Sequence, residues 1–135
     1  REIEKICGMS VSDLFRRYGE LRFRSEEKLM AQKLAGQRGL VIATGGGVVL
    51  GEGNLDALRE NGIVITLAAA PENIYQRINR KKGSRPLLKK NLTVEDIVEM
   101  LASRQALYQQ AELVIDTSNK KINEVVDEII NYLRS

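Results

Sequence analysis

At 135 residues, 43% of them hydrophobic and 29% charged, the chain has the size and balance of one soluble globular domain. A net charge of +3 is too small for a general polyanion binder, and 4% aromatic residues leave little for stacking nucleic-acid bases, so no nucleic-acid partner is expected. The absence of histidine removes His-containing zinc sites and His-activated nucleophiles; the single Cys7 excludes an internal disulfide and fits a cytoplasmic setting; and no stretch approaches the ~20 apolar residues of a membrane span.

Ile3, Ile6 and Cys7 form a short helical stripe ended by Gly8, and Ser10 with Asp13 reads as the cap of a helix through "VSDLFRRYGE". A longer helix, about Glu20 to Ala35, carries Phe23, Met30 and Leu34 in phase. "GLVIAT" (Gly39 to Thr44) is β-branched and runs into Gly45-Gly46-Gly47, the pattern of a buried strand leading into a loop. A brief helix starts at Asn54 and Gly62 closes it. "IVITLAAA" (Ile63 to Ala70) is apolar almost throughout, as for a parallel strand covered on both faces, and Pro71 opens the helix that follows, to about Arg80. "KKGSRPLLKKN" has no periodicity and reads as a cationic loop. Thr93 with Asp96 caps a helix to about Gln110, "ELVIDT" is a third strand, and the last helix aligns Ile122, Val125, Val126, Ile129, Ile130 and Leu133 on one face. Strands alternating with amphipathic helices predict an α/β domain with a parallel sheet, in which ligands sit beyond the carboxyl ends of the strands.

Four features bear on chemistry. Three consecutive glycines suit a tight turn, but they exceed what a turn needs, and the excess suits close approach of a ligand to backbone N–H groups. No Lys and Ser or Thr follow them, so they are not the common GxxxxGK[ST] phosphate loop. Arg104 lies seven residues after Ile97 and three after Leu101, on the stripe that should face the core; it serves a salt bridge there or clamps an anion. Arg24 and Glu27 are spaced to pair, either as surface decoration or with Glu27 aiming Arg24 at a ligand. Arg85, beside Pro86, belongs to a solvated charge run or to a loop that closes over a phosphoryl group.

"GMSVSDLFRRYGELRFRSEE", "VIATGGGVV", "SRPLL" and "SRQALYQQAELVIDT" occur in this order over essentially the whole chain, which thereby resembles the shikimate kinase family of nucleoside-monophosphate-kinase-like P-loop enzymes. The resemblance implies transfer of the γ-phosphoryl group of ATP to the 3-hydroxyl of shikimate, with Mg2+, in aromatic amino-acid (chorismate) biosynthesis, by a cytoplasmic enzyme that is monomeric when full length. It implies that Arg24 and Arg104 grip the shikimate carboxylate, that Gly46 and Gly47 donate backbone N–H bonds to the substrate, and that Glu27 orients Arg24. Phe15, Phe23, Pro86 and Leu87 would line the pocket. Arg85 would be the lid arginine on the ATP phosphates, acting in catalysis, with Arg77 or Arg80 and Lys121 nearer the adenine.

The same resemblance predicts a three-layer P-loop kinase fold with parallel strand order 2-3-1-4-5, here lacking strands 1 and 2. Residues 1–135 would be a single incomplete kinase domain, with 1–36 as shikimate-binding helices and 82–92 as the lid loop. The P-loop, the Mg2+ ligands and the candidate base have no counterpart in these residues, so no metal ligand is assigned. The expectation is therefore a piece of a longer protein, or a poorly stable fragment, inactive alone. The alternatives are a related small-molecule kinase such as a gluconate kinase, or a non-catalytic binding module.

Overall fold

The structure is a computed structural model that describes residues 1–80 and 92–135. Two helices open it. The short α1 (Glu2–Cys7) stops at Gly8, and the Glu4 carboxylate accepts the Val11 N–H (2.9 Å), tying α1 to the start of α2 (Val11–Ala35). Ser10 Oγ accepts the Asp13 N–H (3.1 Å), satisfying one of the donors that a helix start leaves bare. Gly19 (φ 82°, ψ 179°) breaks α2 into the two arms expected from the sequence, in a conformation that a side chain would oppose. The first arm buries Leu14; the second buries Glu27, Met30 and Ala31.

Beyond α2 the chain reaches a 3-10 turn (Gly46–Leu50) and α3 (Asn54–Glu60). The turn packs against α2, against α3 and against α5 (Val94–Tyr108), with Val48 buried at this junction. Asn54, 1% exposed, donates from Nδ2 to the Val48 carbonyl (3.0 Å) and so fixes the far end of the glycine turn. Gly51 leaves room for that amide, since a β-carbon there would collide with it.

The sheet comprises β1 (Ile65–Ala68) and β2 (Leu113–Asp116), parallel and paired from Ile65 with Leu113 to Ala68 with Asp116. Bonds from Glu112 N–H to the Val64 carbonyl (3.0 Å) and from Thr117 N–H to the Ala68 carbonyl (2.7 Å) extend the ladder at both ends. Between these strands come α4 (Pro71–Asn79) and α5, which pack on each other. The capping box that starts α5 is complete: Thr93 Oγ1 accepts from Asp96 N–H (3.2 Å), and the Asp96 carboxylate accepts from Thr93 N–H (3.1 Å). The last helix, α6 (Ile122–Arg134), buries Val125, while Ile122, Val126, Ile130 and Leu133 stay exposed.

Two expectations need correction. Gly39–Thr44 forms no strand, and Leu40, Val41 and Ile42 are exposed rather than buried. A β-branched run becomes a strand only beside another strand, and among the described residues β1 and β2 pair only with each other. For the same reason the β1 region is not covered on both faces: Ile63 and Leu67 are exposed, and the strand shortens to Ile65–Ala68. The parallel α/β arrangement itself is as predicted. Among the described residues no helix is long and apolar enough to cross a membrane.

Candidate substrate-binding site

The second arm of α2 presents Arg24 and Glu27 one turn apart. Nη1 of Arg24 donates to Oε1 of Glu27 at 2.9 Å, and Nε reaches Oε2 of Glu20 at 3.4 Å. Glu27 is only 8% exposed, so the pair it makes with Arg24 is largely shielded from water. This is not the exposed pair that helical spacing alone permits. Phe15, from the first arm, meets Phe23 with ring centroids 4.8 Å apart, and Cζ of Arg24 lies 5.6 Å from the Phe23 centroid. An aromatic wall on one side and a carboxylate on the other leave Arg24 little freedom to swing.

Arg24 is held against the glycine turn. A β-carbon built on Gly47 would lie 2.5 Å from Nη1, 2.7 Å from Nη2 and 2.9 Å from Cζ of Arg24. One residue earlier, a β-carbon on Gly46 would lie 3.1 Å from the Tyr108 hydroxyl and 3.9 Å from Nη1 of Arg104. Two guanidinium groups, one from α2 and one from α5, therefore flank adjacent glycines. Gly45 starts the turn with φ 76°, a region that glycine enters without steric cost. The run of three glycines is thus explained residue by residue: Gly45 by its dihedral angle, Gly46 and Gly47 by the side chains that occupy their Cβ space.

Chemically, this is a corner for a small anion. Arginine offers planar pairs of N–H groups that match a carboxylate, and two of them beside a side-chain-free backbone give an anion donors from several directions. Among the described residues there is no group of three or more Asp, Glu, His or Cys side chains that could hold a metal ion.

The other predicted residues fall elsewhere. Arg77, on α4, donates from Nη1 to Thr117 Oγ1 and from Nη2 to the Thr117 carbonyl, both at 3.0 Å, just past the end of β2. Arg80 caps α4 and is exposed. Lys121, at the start of α6, is exposed and gives its backbone N–H to the Glu124 carboxylate (3.1 Å). In the same loop the Asp116 carboxyl is held below its ordinary value, first by the Ser118 hydroxyl and then by the Ser118 N–H (2.9 Å), with Lys120 and Arg77 adding to the effect. Arg85, Pro86 and Leu87, and with them residues 82–91 of the expected lid, lie outside the described residues.

Sequence reasoning missed two residues. Tyr108 lies four residues after Arg104 on the same helical stripe, and its hydroxyl sits between Arg104 and Gly46. Asn54 looked like an ordinary helix start, whereas it is buried and anchors the turn. The carbonyls they reach, of Gly46 and Val48, belong to the glycine turn, and residue spacing along a helix does not encode that contact.

The family model for shikimate kinase matches residues 1–134. The shikimate kinase of Pelotomaculum thermopropionicum is 45% identical over 133 residues, covering 98% of this chain and 77% of the relative. That of Desulforudis audaxviator is 48% identical, with 98% and 69% covered. Among solved structures, shikimate kinase from Acinetobacter baumannii in complex with shikimate superposes with a TM-score of 0.90 at 31% identity, over 98% of this chain and 74% of that one. Shikimate kinase from Bacteroides thetaiotaomicron gives 0.84 at 25% identity, over 99% and 80%.

Proposed function

Because the chain belongs to the shikimate kinase family, we propose that Arg24 and Arg104 hold the shikimate carboxylate against the Gly46–Gly47 backbone. The activity these residues serve is that of the family, phosphoryl transfer from ATP to shikimate in aromatic amino-acid biosynthesis, with this chain alone expected to be inactive. The acceptor is the 3-hydroxyl, and the setting is cytoplasmic, with a monomeric enzyme. The observation that carries the reading is the meeting of two guanidinium groups from different helices at neighbouring glycines.

Each group has a defined task. Glu27 and the Phe23 ring hold Arg24 in place, so that little side-chain entropy is lost when a carboxylate arrives. Arg104 approaches from α5 beside the adjacent glycine. Phe15 and Phe23 give the substrate ring an apolar wall. In phosphoryl transfer most of the catalysis is positioning and charge neutralisation, and fixing the ring at its carboxylate sets the direction in which its hydroxyl points. ATP and Mg2+ are implied by the family; no ligand for Mg2+ is assigned among the described residues, and no step is routed through it. On the nucleotide side, roles for Arg77, Arg80, Lys121 and Arg85 rest on the motif resemblance, as do those of Pro86 and Leu87 at the acceptor.

The test is ADP release with shikimate or gluconate as acceptor, with the product identified by phosphorus NMR. Shikimate 3-phosphate formation with gluconate inert is the expected result. Turnover of gluconate with shikimate inert would overturn the reading.

A further inference from the structure

One phenol links the two halves of this site. Tyr108 is the last residue of α5, four after Arg104. Its hydroxyl accepts an N–H from Nη1 of Arg104 at 3.3 Å and donates to the Gly46 carbonyl at 2.7 Å, across 62 residues of sequence. Its own backbone carbonyl accepts from Thr66 Oγ1 at 2.7 Å, so the root of the side chain is tied to β1. We infer that Tyr108 is a positioning residue that locks Arg104 and the Gly46–Gly47 peptide into one carboxylate-binding unit; this rests on the reading of Arg104 as a carboxylate ligand.

The chemistry of the three groups supports the lock. A phenol has one proton to give and lone pairs to receive, so it can donate to a carbonyl and accept from a guanidinium at once. Arginine has five N–H donors, and one spent on Tyr108 leaves the rest for an anion while removing rotational freedom. The peptide between Gly46 and Gly47 is planar and trans, so its C=O and N–H point in opposite directions. Holding the Gly46 carbonyl toward Tyr108 therefore also sets the direction of the Gly47 N–H. The 3-10 turn and Tyr108 together fix that peptide plane, and a β-carbon on Gly46 would press on the phenol oxygen.

The experiment is a kinetic cycle on the enzyme with Tyr108→Phe, Arg104→Ala and the double variant. Phe keeps the ring and the backbone carbonyl that Thr66 holds, so the melting temperature should stay within about 2 °C of the parent. Tyr108→Phe should raise the shikimate KM about five- to tenfold, with kcat and the ATP KM within about twofold. In the Arg104→Ala background, Tyr108→Phe should change the shikimate KM by less than about twofold, because the residue it positions is gone. An unchanged KM in Tyr108→Phe would overturn the inference, as would an equal effect in both backgrounds or a parallel rise in the ATP KM. If Arg104→Ala leaves the shikimate KM unchanged, the carboxylate reading itself fails. If only Tyr108→Phe is silent, that reading stands and the positioning role does not.

Discussion

The guanidinium of Arg24 occupies the space that a side chain at position 47 would need: the nearest approach to a β-carbon on Gly47 would be 2.5 Å. Gly47 does not require a positive φ, so Gly47→Ala should still fold, but its β-carbon displaces a guanidinium that is paired with the buried Glu27. The expected outcome is a rise in shikimate KM of roughly tenfold or more, for loss of a charge-assisted contact, together with a lower melting temperature from the disturbed Arg24–Glu27 pair. Steady-state kinetics beside a thermal melt would check it. A sharp loss of stability with an unaltered KM would mean that the contact is merely structural.

Glu27→Gln keeps an acceptor for Arg24 and removes only the charge. Charge-assisted bonds exceed neutral ones by about 1 kcal/mol, so the shikimate KM should rise about fivefold while kcat holds. Isothermal titration with shikimate provides a second readout. A fall in kcat at constant KM would assign Glu27 a part in the chemical step instead.

The anchor of the glycine turn is testable by stability. Asn54→Ala removes the bond to the Val48 carbonyl in a fully buried setting, where the orphaned acceptor has no water to turn to. A loss of about 1–3 kcal/mol in urea unfolding is expected. The Oδ1 atom of Asn54 has no partner, which places the expected loss toward the lower end of that range. A neutral result would show that the turn is held by Val48 packing alone.

The loop after β2 carries a pH signature. Asp116 titrates below its ordinary value because Ser118 donates to its carboxylate, so the stabilising contribution is present above the unfolded pKa, about 3.9, and fades as pH falls through the lower folded value. Asp116→Asn should therefore be less stable than the parent near neutrality and converge with it in acid. Ser118→Ala should move the Asp116 carboxyl back up toward 3.8, as read by carbon-detected NMR titration. No movement would place the cause in the Ser118 N–H, Lys120 or Arg77 rather than in the hydroxyl.

Much of this was legible beforehand, and the exceptions share a cause. Helix starts at Ser10 and Thr93 were readable because a cap and its partner are three residues apart. Arg104 was readable because helical spacing set it on the stripe of Ile97, which is fully buried. The pairing of Arg24 with Glu27 followed from the same spacing, with Glu27 four residues after Phe23 and three before Met30 on the apolar side; the contact of Arg24 with the turn at Gly47 did not. The mistaken strand at Gly39–Thr44 fails for a related reason, since β-propensity describes a residue's fit to a sheet and not whether a neighbouring strand exists. Tyr108 and Asn54 were missed because their partners are backbone carbonyls in an irregular turn, a geometry that no periodicity announces.

The most direct test of the central claim is the shikimate KM of Arg24→Ala and of Arg104→Ala, each measured at saturating ATP. If the two guanidinium groups share one carboxylate, each substitution raises that KM by roughly one to two orders of magnitude, the scale of a lost charge-assisted hydrogen bond. An unaltered shikimate KM in both variants would contradict the account.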